Sequence, residues 1–277
     1  YRTLAEYKRA LTIEGYQNVI SEYAAAYAKN AEPVLFIAQY SKIYNYGKAT
    51  QKPGVLAICH ELGGGAQKFL LEKKKEWMEA NTAFVSVTYR ITEGTYRIQV
   101  QDHMYEVVFD LQRWSRISEL IEAFNIKKIL VNELVTYLYL IEKLHEILEW
   151  KKKYHCEIIY YFHDYYALCP RFNLMNREGR YCDIPDLSYC DSCAKPVLMG
   201  IGENDISVTQ WREEWENFLR QTDQIIVFSE NTKEIIGRVW EGLSDTILVQ
   251  PHKVGYLRKV KTAGDGARIR ATAVNGE

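Results

Sequence analysis

The sequence predicts an α/β protein: a Rossmann-like, doubly wound parallel sheet with a helical N-terminal extension and a cysteine-rich loop. Three observations lead there. Short apolar runs of strand length alternate with helical segments from Gly54 to Pro251. Such alternation implies βαβ units, hence a parallel sheet covered on both faces and wound by right-handed crossovers. The 277 residues hold one large domain or two small ones, and 47% hydrophobic with 26% charged residues is a globular balance.

Residues 1–52 read as a helical extension or linker. Leu4, Tyr7 and Leu11 recur at helical spacing, as do Ile20, Tyr23 and Tyr27, with Gly15 between the two sets. Aromatic residues at that spacing mark a buried helix face. After Pro33, Val34-Leu35-Phe36-Ile37-Ala38 has the length of a short strand. Tyr44 to Pro53, broken by Gly47, reads as a connector.

Residues 53–252 carry the sheet. Val55-Leu56-Ala57-Ile58-Cys59 is too short for a helix and reads as the first strand. A glycine loop, Gly63-Gly64-Gly65, leads into a helix from Ala66 to Glu79. Ala83 to Val87 is the second strand, Tyr96 to Phe109 a hairpin, and Ile117 to Phe124 a helix. Ile129-Leu130-Val131 is a buried strand, and Leu134 to Trp150 a long amphipathic helix. Ile158 to Phe162 is a strand that runs into the cysteine-rich loop. Val208 to Arg220 (helix), Gln224 to Phe228 (strand), Asn231 to Trp240 (helix) and Ile247-Leu248-Val249 (strand) complete the alternation. Residues 253–277 read as a tail or the start of a further domain, Ala267 to Val274 being its candidate strand.

Charge and hydropathy exclude some classes. Lys plus Arg is 35 and Asp plus Glu is 36, so no bulk positive charge recruits nucleic acid. No run approaches the ~18 uncharged apolar residues of a membrane span. The start, Tyr1-Arg2-Thr3, lacks Met and an apolar signal region, so the chain is expected to begin inside a longer one and to act in the cytoplasm. Lys73-Lys74-Lys75 and Lys151-Lys152-Lys153 read first as solvated faces. Beside Trp77 and Trp150 they also allow peripheral contact with the inner face of a membrane.

In a doubly wound sheet, ligands sit beyond the carboxyl ends of the strands. Gly63, Gly64 and Gly65 follow the first strand and open a helix, so their backbone can approach a ligand whose anion faces the helix N-terminus. The loop is neither a dinucleotide fingerprint, since Lys68 stands where the third glycine belongs, nor a Walker loop. His163-Asp164 ends another strand, where a histidine can exchange a proton or hydrogen bond with a hydroxyl near pH 7. Cys169, Cys182, Cys190 and Cys193 fall in a polar stretch with a terminal Cys-x-x-Cys, fitting a structural, four-thiolate Zn²⁺. Four free or partly paired cysteines are the plainer reading. Ser229 or Asn231 can cap the following helix, and capping suffices to explain them.

These motifs together resemble a family. His60-Glu61-Leu62-Gly63-Gly64-Gly65, His163-Asp164-Tyr165-Tyr166-x-x-Cys169-Pro170-Arg171, Gly179-x-Tyr181-Cys182, Cys190-x-x-Cys193, Val227-Phe228-Ser229-Glu230 and Pro251-His252 occur in order. The set resembles the N-terminal, acceptor-side domain of GT-B glycosyltransferases of the family 4 type, from bacterial surface-polysaccharide assembly. The resemblance implies a retaining transferase with two facing domains. By the same resemblance, the domain seen here would bind a glycan or lipid-linked acceptor, and its glycine loop would approach the donor phosphate and sugar. His163 would lie by the reacting sugar. Glu61, Asn132 and Glu133, with Asp164 and Ser229 at neighbouring strand ends, are the substrate-binding candidates. The nucleotide-sugar is bound mainly by a C-terminal domain using two glutamates spaced E-x7-E. That element does not occur after Pro251-His252, so this chain alone is expected to be an incomplete, inactive half. A non-catalytic glycan- or protein-binding module with a structural zinc is the alternative. A nucleotide-dependent oxidoreductase ranks lower, without the G-x-G-x-x-G loop.

Overall fold

The computed structural model describes residues 33–50, 52–102, 106–252, 257–260 and 268–271. The helices expected around Leu4 to Tyr27 lie outside them.

The elements are α1 (Pro33–Thr50), β1 (Gly54–His60), α2 (Gly65–Glu79), β2 (Ala83–Arg90), β3 (Thr95–Gln101), β4 (Glu106–Leu111) and α3 (Ile117–Ala123). There follow β5 (Ile126–Val131), α4 (Leu140–Tyr154), β6 (Glu157–Phe162), α5 (Leu187–Gly200), α6 (Val208–Arg220), β7 (Gln224–Val227), α7 (Glu230–Val239) and β8 (Ile247–Val249). One eight-stranded sheet has the order β4-β3-β2-β1-β5-β6-β7-β8. Only the β3 pairings are antiparallel. The strand order runs one way from β1 through β2 and the other way from β5 through β8, so the reversal falls between β1 and β5. This α/β architecture is compatible with the doubly wound pattern.

Alternating side chains divide the core in two. Val55, Ala57, Cys59, Phe84, Leu130, Ile159, Tyr161 and Ile226 face α2, which contributes Phe69, Leu70, Trp77 and Met78. Leu56, Ile58, Val85, Val87, Ile98 and Ile158 face the opposite layer, into which α1, α3, α4 and α6 pack. Within α6, Trp211, Trp215 and Phe218 are wholly buried. Each contributes roughly 2–3 kcal/mol of hydrophobic stabilisation. A capping box between Ser207 and Gln210 sets the start of this helix.

Three local expectations are corrected. Val34 to Ala38 is helical, the first turns of α1, because Pro33 is suited to the opening position of a helix. The connector expected from Tyr44 is likewise helix as far as Thr50. Gly47 does not break it: a Cβ there would stand 3.0 Å from the Ala123 carbonyl oxygen, so glycine lets α1 approach α3 closely. The helix expected from Leu134 begins instead at Leu140. Its orphan Ile141 amide donates to Glu203 Oε1 at 3.0 Å, a cap supplied from beyond α5.

The cysteine region is only partly a loop. Cys169 and Cys182 flank a turn closed by a Met175–Tyr181 bridge, while Cys190 and Cys193 lie on α5. In the tail, β9 (Leu257–Val260) and β10 (Arg268–Ala271) pair antiparallel as a separate two-stranded sheet. No described helix is long and apolar enough to cross a membrane. Trp150 is buried and stacks on Trp114 at 5.1 Å.

Candidate functional site

The carboxyl ends of β1, β5 and β6 bring four of the candidates into one cluster. The loop after β5 is fixed by its backbone: the Asn132 and Glu133 amides both donate to the Ile58 carbonyl, at 2.9 and 3.2 Å. Tyr137, fully buried, donates its hydroxyl to the Cys59 carbonyl at 2.9 Å and locks the same loop over β1. The loop after β6 is held from α6, where Trp211 Nε1 donates to the Tyr166 carbonyl and Arg212 Nε to the Leu168 carbonyl, each at 3.0 Å. Asp164 Oδ1 accepts from the Tyr166 amide at 2.7 Å, turning its carboxyl inward.

Asn132 links the loops. Its amide donates to the Ala66 carbonyl at 3.3 Å, and its Oδ1 lies 3.0 Å from His163 Nε2. That carbonyl oxygen only accepts, so His163 carries its proton on Nε2 and leaves Nδ1 as an acceptor. The His163 ring stacks on Phe228 at 4.7 Å, and Phe69 meets it edge-on at 5.0 Å. Phe228 in turn stacks on His252 at 3.9 Å. Burial in this aromatic sleeve pushes the His163 pKa down to about 4; Glu133 opposes the shift, while His252 and His60 add to it. His163 is therefore neutral at pH 7.

Glu133 is the anionic centre. His60 Nε2 lies 3.2 Å from its Oε2, and His60 Nδ1 accepts from the Leu62 amide at 3.0 Å, so Nε2–H donates to Glu133. On the other side Glu133 is hydrogen-bonded to Asp164, whose pKa is raised far above the carboxylate range by burial and then by the Glu133 charge. Asp164 is thus the member of this acidic pair that holds a proton more tightly than an ordinary carboxyl does.

Glu61 ties two loops together: its carboxylate accepts from the Ile91 amide at 2.8 Å and lies 3.9 Å from Arg90. Gly63 and Gly64 have φ of 76° and 85°. Gly64, with ψ −152°, occupies a region almost exclusive to glycine. Gly65 has no such requirement, and a Cβ there would meet nothing within 4 Å. The third glycine faces open space at the N-terminus of α2. Ser229 stands outside the cluster; its hydroxyl caps α7 by accepting from the Thr232 amide at 3.1 Å.

Two cavities flank the first turns of α2. One, of about 270 Å³, lies between α2 and β2–β3 and reaches His60, Asn132 and Glu133. The other, of about 300 Å³, is lined by Gly65, Lys68, Phe69, Phe228 and His252.

The four cysteines of the predicted metal set form no disulfide and share one region. Burial pushes the Cys169 thiol up to about 11, with Cys182 and Cys190 close enough to add to the shift. Cys190 senses Cys182 and Cys193 as well, and the Arg212 guanidinium approaches its sulfur at 4.0 Å. Among the described residues no three His, Cys, Asp or Glu side chains are gathered in a metal-binding group.

Sequence reasoning did not single out His60, Phe69 or Tyr137. His60 carries the same signal as His163, a histidine at a strand's carboxyl end. Phe69 and Tyr137 read as ordinary helix-face residues and carry no signal of their own. No known protein-family model, curated protein or solved structure matches this chain.

Proposed function

We propose that this chain is the Rossmann-like, acceptor-side half of a retaining GT-B sugar transferase. It would act in surface-polysaccharide assembly, transferring a sugar from a nucleotide-sugar to a glycan or lipid-linked acceptor. One observation carries the reading: a neutral histidine, a carboxyl–carboxylate pair and an open glycine loop meet where the strand order reverses.

In the transfer, the bond from the anomeric carbon to the diphosphate breaks, with its electrons leaving on the diphosphate. The acceptor hydroxyl oxygen bonds to that carbon and passes its proton to an oxygen of the departing diphosphate. The developing charges are a departing diphosphate and an oxocarbenium-like carbon. Gly65, at the N-terminus of α2, and Lys68 face the diphosphate from the 300 Å³ cavity. His163 Nδ1 accepts a hydroxyl of the transferred sugar, held in place by Asn132 and Phe228. Glu133 accepts from the incoming acceptor hydroxyl in the adjoining cavity. A second domain supplies most of the nucleotide contacts. Cys169, Cys182, Cys190 and Cys193 hold a structural Zn²⁺ that orders the loop after β6; the Arg212 guanidinium suits the net negative charge of four thiolates around one zinc ion.

The test uses the full-length protein with radiolabelled UDP-glucose, UDP-galactose and GDP-mannose, plus lipid and glycan extracts of the source cells. Label incorporated into an extract, and lost in H163A, supports the proposal. Intact nucleotide-sugars beside retained glycan would instead establish a binding module.

A further inference from the structure

We infer that the cavity between α2 and β2–β3 takes a saccharide bearing an oxyanion, a carboxylate or a phosphate monoester, and that Lys74 reads its charge. The inference rests on the acceptor-side reading and names the substrate class of that site.

Charge is the first ground. Lys74, Arg90 and Arg97 all line this cavity. Arg90 is held by Glu93 at 2.6 Å and lies 3.9 Å from both Glu61 and Asp110. Arg97 is paired with Asp110 at 3.1 Å. Lys74 is half-buried and has no ion pair or hydrogen bond among the described residues. Burial depresses the pKa of its ammonium, and Glu106 offsets this only in part. A lysine with no further role extends its ammonium into water. A partly desolvated ammonium lining a cavity without a partner is stabilised when an oxyanion enters.

The cavity wall is the second ground. Ser86 on β2 pairs in register with Gln99 on β3, and Thr88 with Arg97. These positions alternate with Val85, Val87, Ile98 and Val100, which are buried on the other face. A strand pair covered by a helix on this side would carry apolar residues at both sets of positions. Here the cavity side presents hydroxyls and carboxamides instead, with Gln67 facing from α2. Such groups both donate and accept, as sugar hydroxyls require. The volume of about 270 Å³ suits one sugar unit. Lys74 lies along α2, while Asn132 and Glu133 stand at the strand ends beside His163. The same cavity is thus lined by Lys74 and, at the strand ends, by Asn132 and Glu133.

The experiment is an NMR titration of the ¹⁵N-labelled protein with three probes: methyl glucuronide, glucose 6-phosphate and methyl glucoside. The expected result is that a charged probe binds about tenfold more tightly than the glucoside, a difference near 1.4 kcal/mol. The carboxylate and phosphate arms identify which oxyanion is preferred. K74M should abolish the preference, K74R should retain part of it, and K75M, at an exposed neighbour, should have no effect on either affinity. Equal affinities for charged and neutral probes, a preference that survives K74M, or no binding of any probe would overturn the inference. Charge preference in a protein that transfers no sugar would leave the inference standing and remove the transferase reading; transfer without charge preference would do the reverse.

Discussion

Burial, and then Glu133 hydrogen-bonded beside it, raise the pKa of Asp164 well above its ordinary value. Glu133 also receives His60 Nε2 at 3.2 Å, so one carboxylate draws the ends of β1, β5 and β6 together. The arrangement has a definite sign. The folded state binds the Asp164 proton more tightly than the unfolded chain does, so this group's contribution to stability falls as pH rises above the ordinary carboxylate range. Replacing Asp164 with Asn keeps a donor towards Glu133 and an acceptor for the Tyr166 amide. D164N is expected to match or exceed the parent's stability at pH 8 by about 1 kcal/mol, and D164A to lose at least as much. Urea denaturation at pH 5 and pH 8 measures both.

His163 has the opposite linkage. Its pKa is pushed down to about 4, so between the ordinary histidine value and pH 4 the unfolded chain binds a proton that the folded protein does not. Stability is therefore lost as pH falls through that window, by roughly 3 kcal/mol in full. In H163Q the loss over the same window should shrink. An NMR titration following the His163 ring protons should show no protonation down to pH 5.

The three glycines should separate by experiment. G64A places an alanine at φ 85°, ψ −152° and is expected to cost about 1–3 kcal/mol. G65A meets no neighbouring atom and should change stability by less than about 0.5 kcal/mol. If Gly65 is open to admit a ligand, G65A will nonetheless weaken nucleotide-sugar binding in the full-length enzyme. Thermal melts and a binding titration on the two variants check this.

The thiol cluster carries a metal prediction. Protein purified without chelator should hold one zinc per chain by plasma mass spectrometry. C190S and C193S should each lose the metal and melt at lower temperature, whereas C156S, buried next to the Trp150 carbonyl and away from the set, should keep it. Metal-free parent protein with an unchanged melting curve would remove the zinc.

The strand pattern was legible because a buried strand must show a short, unbroken apolar run such as Val55 to Cys59. Helix starts were not. Leu134, Tyr137 and Leu138 repeat like a helix, yet they form the loop that covers β1, and α4 waits for Glu203, a cap 62 residues from Ile141. Val34 to Ala38 has the length of a short strand but forms the first turns of α1, which Pro33 opens. The strand-end rule placed His163, Asn132 and Glu133 at neighbouring loops. It gave no means of seeing that Asp164 would turn onto Glu133, or that Phe69 and Phe228 would enclose His163, because both depend on where separate crossovers set their loops. Ser229 is a helix cap, as its spacing to Thr232 indicates.

The most direct measurement is a comparison of parent and H163A full-length enzyme under steady-state kinetics, varying the acceptor at saturating donor. Orientation of the transferred sugar by His163 Nδ1 predicts a fall in kcat of about 10²-fold or more, with a much smaller change in the acceptor KM. An unchanged kcat would contradict the account and remove His163 from the chemistry.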